Sequence, residues 1–165
     1  MDWLLHVLGW TDGMPDDIAL LWRWAPVGKA HAGAIRSVVE AFGAPVVFVG
    51  DLDPLDLATF STLERCLRGL TVPVRYGGVG DRWLEICEQH LPPRSSLRSL
   101  CIPMSDPEQE ALRRAEAIGL GWGALAGPRG SALLGSGVKL ELEGATSPHF
   151  FSPSLAGELA RLVLD

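Results

Sequence analysis

Apolar residues recur at two different spacings along the chain, and each change of spacing marks a predicted element. Apolar runs at residues 3–8 and 18–24 predict two strands. Because only a short loop separates them, we expect a hairpin rather than a strand–helix–strand unit. Between Ala30 and Phe42 the apolar residues recur at helical spacing, and Gly43 is a typical helix stop.

The middle of the chain has the pattern of a parallel sheet with helical crossovers. Residues 45–49 are apolar throughout, as expected for a strand that is covered on both faces. An acidic loop, defined as residues 50–54 (GDLDP), follows this strand. The elements predicted after it are a helix with Asp56 as its N-cap, a strand at 72–76, and a helix at 82–90 capped by Asp81.

The last third of the chain is predicted to be less regular. Residues 105–108 (SDPE) form a capping-box pattern, which predicts a helix up to about Ile118. Seven glycines between residues 119 and 137 predict a long irregular loop. Residues 138–143 alternate and fit either an edge strand or a short helix, and residues 154–164 predict a final amphipathic helix.

Length and charge narrow the class of protein. The 165 residues, 47% of them apolar, predict one α/β domain over residues 1–165, with a small and mostly parallel sheet flanked by helices. The net charge of -6 argues against a free-standing nucleic-acid binder, because phosphate contacts need clustered Lys and Arg. Without a long apolar run or a basic leader, we expect no membrane span and a cytoplasmic location.

The acidic loop carries the clearest candidate chemistry. Asp51 and Asp53 follow a predicted buried strand, and open α/β sheets bind ligands at the carboxyl ends of their strands. Residues two apart in extended backbone point the same way, so both carboxylates can face one ion. Such oxygen ligands suit Mg²⁺ or Mn²⁺, which stabilise the charge that develops when a phosphodiester is cut. An aspartate-rich turn is also an ordinary helix cap, so the motif alone leaves both interpretations open.

The strand and its loop resemble a known family. Residues 46–54 (VVFVGDLDP) are similar to the DxD strand of toprim domains, and look most like the C-terminal domains of the topoisomerase VI A subunit and the Wadjet-type nuclease subunit. Residues 137–145, where a lysine precedes acidic residues, resemble a second segment of these proteins. The resemblance implies a toprim-like α/β domain that acts on nucleic-acid phosphodiesters within a larger assembly and reaches DNA through a partner subunit. It implies Mg²⁺ or Mn²⁺ at Asp51 and Asp53, with Glu141 or Glu143 as a further ligand if their segment folds back over the loop.

The chain also departs from the family pattern. Toprim domains carry a glutamate at the end of their first strand, whereas the first predicted strand here continues into residues 6–10 (HVLGW) without one. The single tyrosine, Tyr76, and the short chain leave no room for covalent DNA cleavage by a separate winged-helix domain. A haloacid-dehalogenase-like phosphatase is a third hypothesis, but Leu55 departs from its DxDx[TV] motif. The two leading hypotheses are a metal-dependent nuclease domain and a non-catalytic toprim-like module that binds a partner protein.

Tryptophans suggest where such a partner would bind. Trp22 and Trp24 are two residues apart in a predicted strand, so they share one sheet face. They fit first of all the core of the domain. The alternative is an aromatic patch for protein docking, because tryptophan is enriched at interface hot spots.

Overall fold

Strands and helices alternate through the middle of the chain in the computed structural model. The structure describes residues 28–119, 122–145 and 152–164. The two strands predicted at 3–8 and 18–24, and with them Trp22 and Trp24, lie outside the described residues.

The described helices and strands are each numbered in chain order. The helices are α1 (Lys29–Phe42), α2 (Pro54–Leu67), α3 (Asp81–His90), α4 (Asp106–Ala117), α5 (Trp122–Gly135), α6 (Leu142–Ala145) and α7 (Pro153–Leu164). The strands are β1 (Val46–Phe48), β2 (Val74–Tyr76), β3 (Ile102–Pro103) and β4 (Val138–Lys139), and a 3-10 helix (Leu97–Leu100) precedes β3.

The described strands form two small sheets. Strands β1 and β2 are parallel, with Val46 opposite Val74 and Phe48 opposite Tyr76. Strands β3 and β4 are antiparallel. The mixed α/β class and the parallel pairing across α2 are therefore confirmed, and among the described residues helices outweigh the strands.

Helix α3 lies at the centre of the main core. It contacts both α5 and α7. Its indole Trp83 is buried and donates a hydrogen bond from Nε1 to the Gly77 carbonyl oxygen at 3.0 Å. The fully buried side chains of this core come from all parts of the described chain and include Leu52, Leu57, Trp83, Leu84, Leu140, Leu155 and Leu159. The segment after β2 is thus tied to the core at the point where it meets the acidic loop.

The N-caps of two helices differ from the sequence prediction. Helix α2 begins one turn earlier than predicted, because Asp53 caps it rather than Asp56. The Asp53 backbone is extended, Pro54 occupies the first helical position, and proline needs no hydrogen-bond acceptor there. The cap of α3 is Gly80, so Asp81 lies within the first turn and its carboxylate instead accepts a hydrogen bond from the Arg129 backbone N–H at 2.8 Å.

The prediction of a long irregular loop between residues 119 and 137 was wrong. Most of this segment is α5, which is kinked at Gly127 (φ 69°) before Pro128. Its buried residues recur every four positions and are Trp122, Ala126, Gly130 and Leu134. Glycine lowers helix propensity, but burial of a continuous face stabilises the helix more than propensity alone destabilises it.

The structure confirms the other predictions for the C-terminal third of the chain. The capping box at Ser105 and Glu108 is present and begins α4, and the final helix α7 matches its prediction. Residues 138–143 take both predicted forms in succession, first β4 and then the start of α6. Within the described ranges, no helix has the length and hydropathy needed to cross a bilayer.

Candidate metal site

The acidic loop continues the pairing of the parallel strands. Beyond β1 and β2, the Gly77 N–H donates to the Phe48 carbonyl at 2.8 Å, and the Val79 N–H donates to the Gly50 carbonyl at 2.9 Å. The loop therefore lies at the carboxyl edge of the parallel pair, the edge at which open α/β sheets bind ligands.

Two glycines allow the backbones to approach this closely. A Cβ on Gly78 would lie 2.6 Å from the Gly50 nitrogen and would also collide with the Gly50 carbonyl oxygen. A Cβ on Gly50 would lie 2.5 Å from Phe48 Cε1 and 2.6 Å from Asp56 Oδ2. The loop therefore requires glycine at both positions.

Three carboxylates converge in this loop. Asp51, Asp53 and Asp56 each offer an oxygen, and these oxygens lie within 4.8 Å of one another. Helix α2 places Asp53 at its N-cap and Asp56 in its first turn, while Asp51 precedes both in the loop. Three hard oxygen donors at this spacing match the ligands that Mg²⁺ and Mn²⁺ prefer, so the residues present fit such an ion.

Backbone donors hold the carboxylates in place. Asp53 Oδ1 accepts from the N–H groups of Leu55 at 2.6 Å and Asp56 at 2.9 Å. Asp56 Oδ2 accepts from the Asp51 N–H at 2.9 Å, and Asp51 Oδ1 accepts from the Leu142 N–H at 2.8 Å. The loop is therefore preorganised by hydrogen bonds to its own carboxylates.

The segment after β4 lies against the loop. Leu52, between the two DxD aspartates, pairs with Leu140 through N–H to carbonyl bonds of 2.9 Å and 3.3 Å. Both leucine side chains are fully buried. A Cβ on Gly130 of α5 would lie 3.1 Å from Leu52 Cδ1, so α5 also packs against this pair.

Glu141 and Glu143 lie near the loop in different ways. Glu141 is partly exposed and forms an ion pair with Lys139, whose Nζ lies 3.0 Å from Glu141 Oε1. Glu143 is exposed, and its charge acts on Asp51. Within the described part of the chain, the group of mutually close carboxylates has Asp56 as its third member and includes neither glutamate. The sequence signal for Asp56 was its place three residues after Asp53, where one helical turn returns a side chain to the same side.

Burial and crowding change the acidity of the loop. Burial raises the pKa of Asp51 to about 7; the Leu142 N–H opposes this, and the charges of Asp56, Asp53 and Glu143 add to it. Burial also raises the pKa of Asp53. A divalent cation would favour the charged forms of these carboxylates, so metal binding is expected to release protons near neutral pH.

Lys139 carries the positive charge that the structure places beside this loop. Its Nζ lies 2.7 Å from Glu108 Oε1, and both side chains are largely buried. Partial burial alone would lower the pKa of Lys139, but its hydrogen bonds with Glu108 and Glu141 outweigh this and raise it, so Lys139 stays charged. Burial still raises the pKa of Asp53, and the Lys139 charge opposes only part of that rise. The pair joins the start of α4 to β4 and thereby anchors the segment that covers the loop.

Comparisons with known proteins do not add to this description. No family model, curated protein or solved structure matches the chain.

Proposed function

We propose that this chain is a toprim-like domain that holds Mg²⁺ or Mn²⁺ at Asp51, Asp53 and Asp56 and acts on nucleic-acid phosphodiesters within a larger assembly. The observation that carries the proposal is the convergence of the three carboxylates at the carboxyl edge of β1 and β2. The motif resemblance supports the toprim assignment. The net charge of -6 favours contact with DNA through a more basic partner subunit.

In this function, residues of the acidic loop would hold the ion. A bound ion would neutralise charge on a phosphate group. Asp51 and Asp53 each fix one oxygen through backbone N–H groups, and among the described residues no donor contacts their second oxygens. The buried Leu52 and Leu140 pair excludes water from one side of the loop.

Calorimetry with Mg²⁺ and Mn²⁺ tests the proposal directly. We expect the wild type to bind one ion and the double variant Asp51→Asn/Asp53→Asn to lose measurable binding. Asparagine can still accept the backbone hydrogen bonds, so the variant removes charge and keeps the cap. Asp106→Asn, at an exposed aspartate in the first turn of α4, is the matched control and is expected to bind like the wild type. A wild type that binds neither ion would overturn the proposal.

A second candidate function is a toprim-like module that binds a partner protein and has no metal. The observation that favours it is that all three aspartates accept hydrogen bonds from backbone N–H groups, which can shape the loop without an ion. Trp22 and Trp24 would belong to its partner-binding surface. Hydrolysis of bis(p-nitrophenyl) phosphate with Mn²⁺ separates the candidates, because only the metal-dependent domain is expected to turn it over and lose that activity in the double variant.

A further inference from the structure

Tyr76, the single tyrosine of the sequence, lies beside the acidic loop, and its ring packs against two other aromatic rings. It lies on β2 opposite Phe48. Its ring centroid is 6.0 Å from that of Phe48, in a stacked arrangement, and 5.4 Å from that of Phe60, edge to face. The two aromatic neighbours leave the phenol oxygen directed at the loop rather than at solvent.

The phenol donates to the backbone of the loop. Its oxygen lies 2.9 Å from the Asp51 carbonyl oxygen and 3.3 Å from the Gly50 carbonyl oxygen. A phenol has one proton to donate, so the shorter contact with Asp51 dominates. The Gly50 carbonyl oxygen already accepts a hydrogen bond from the Val79 N–H. The Asp51 carbonyl oxygen accepts its hydrogen bond from the Tyr76 hydroxyl.

The contact acts on the peptide that joins Asp51 to Leu52. A peptide group is planar, so a fixed Asp51 carbonyl also fixes the Leu52 N–H. That N–H donates to the Leu140 carbonyl at 2.9 Å. The same peptide is therefore held at both ends, from β2 on one side and from the segment after β4 on the other.

The hydrogen bond also stabilises the loop. A hydroxyl that satisfies a buried carbonyl is stabilising, and its removal leaves that carbonyl without the bond.

We propose that Tyr76 is a positioning residue for the metal site: its hydroxyl fixes the Asp51 peptide so that the carboxylates of Asp51 and Asp53 face the same ion. This inference rests on the proposed metal-binding function. Partners that orient metal ligands without touching the metal typically change affinity by about 10- to 100-fold when they are removed. We place Tyr76→Phe at the lower end, at roughly 10-fold weaker Mn²⁺ binding, because the aromatic packing is retained.

The test compares Mn²⁺ binding by Tyr76→Phe with that of a matched variant. Thr59→Val also removes one buried hydroxyl, but the Thr59 Oγ1 has no hydrogen-bond partner among the described residues. Calorimetry gives the affinities. The Mn²⁺ electron paramagnetic resonance line shape gives the ligand geometry, which a purely structural role of the hydroxyl would leave unchanged. We expect weaker binding and an altered line shape in Tyr76→Phe, and wild-type values in Thr59→Val.

The outcomes separate this inference from the function on which it rests. If the wild type binds Mn²⁺ and Tyr76→Phe binds it equally well with the same line shape, the positioning role is overturned and the metal site stands. An equal loss in Thr59→Val would also overturn it, because the effect would then follow from any buried hydroxyl. If the wild type binds no Mn²⁺, both the function and the positioning role are overturned.

Discussion

Asp51→Asn is expected to make the metal-free protein more stable than the wild type at alkaline pH while it weakens metal binding. The folded state raises the pKa of Asp51 from 3.8 to about 7, chiefly by burial. A raised pKa means that the folded state holds the proton more tightly than the unfolded state does. The wild type therefore loses stability as pH rises from about 4 to about 7. Asparagine carries no charge at any pH and avoids this loss.

Urea unfolding in EDTA at pH 5 and pH 8 measures the effect. Each pKa unit corresponds to about 1.4 kcal/mol, so the stability gap between Asp51→Asn and the wild type should widen by roughly 2.5 kcal/mol from pH 5 to pH 8. At pH 8 the variant should exceed the wild type by roughly 2 to 4 kcal/mol. Asp106→Asn, at an exposed site, is the control for the loss of one carboxylate charge. Equal stability of Asp51→Asn and the wild type at pH 8 would show that Asp51 is not held at a raised pKa.

The same charge links stability to metal. Adding Mg²⁺ should stabilise the wild type at pH 8, because a ligand that binds only the folded state adds its binding free energy to stability. It should leave Asp51→Asn nearly unchanged. A loop that is destabilised by its own charges and relieved by a cation is the behaviour expected of a functional site. Carboxylates that serve only as caps and turns should not respond to Mg²⁺, because the alkaline loss of stability follows from burial alone.

Gly78→Ala is expected to lower the free energy of unfolding by about 3 kcal/mol or more. The added Cβ would collide with the Gly50 carbonyl oxygen and lie 2.6 Å from the Gly50 nitrogen and 2.8 Å from Tyr76 Cζ. These obstacles are the backbone of the acidic loop and a packed ring, which move less readily than the end of a flexible side chain. The pairing between the two chain segments must open to make room.

Gly33→Ala is the matched control. Gly33 lies within α1, and a Cβ there meets nothing within 4 Å. Because alanine has the higher helix propensity, this substitution should stabilise the protein by up to about 1 kcal/mol. Urea unfolding of both variants gives the comparison. A Gly78→Ala variant with wild-type stability would contradict the close approach of the segment after β2 to the acidic loop.

Gly78 and Asp51 both depend on the close approach of the acidic loop to the segment after β2. Gly78 allows the backbone of the loop to lie against the extension of β2, and the resulting burial raises the pKa of Asp51. A folded Gly78→Ala variant should therefore also bind Mn²⁺ more weakly, because the carboxylates would lose their common orientation.

Local signals along the chain determined much of the secondary structure. Helical spacing identified α1 and α7, and the capping box identified the start of α4. The apolar run at 45–49 identified β1, and the alternation with α2 identified its parallel partner β2. These features depend on residues close together in sequence, so the pattern alone was sufficient. The aspartates of the loop were identified for the same reason.

Tertiary contacts decided what remained. Helix α5 forms in a glycine-rich segment because Trp122, Ala126 and Leu134 are buried against other elements. No local sequence pattern indicates that these residues are buried. The N-cap of α2 is Asp53 rather than Asp56, and the Asp56 carboxylate belongs to the group of close carboxylates.

The sequence by itself determined the identity of the acidic loop and its place after a buried strand. Only the tertiary structure decided that Asp56, rather than Glu141 or Glu143, completes the group of close carboxylates. It also decided that Tyr76 and Leu142, which are distant in sequence, hold Asp51. The physical reason is that a hydrogen bond or a pKa shift depends on which groups share a buried volume, and spacing along the chain does not specify that volume.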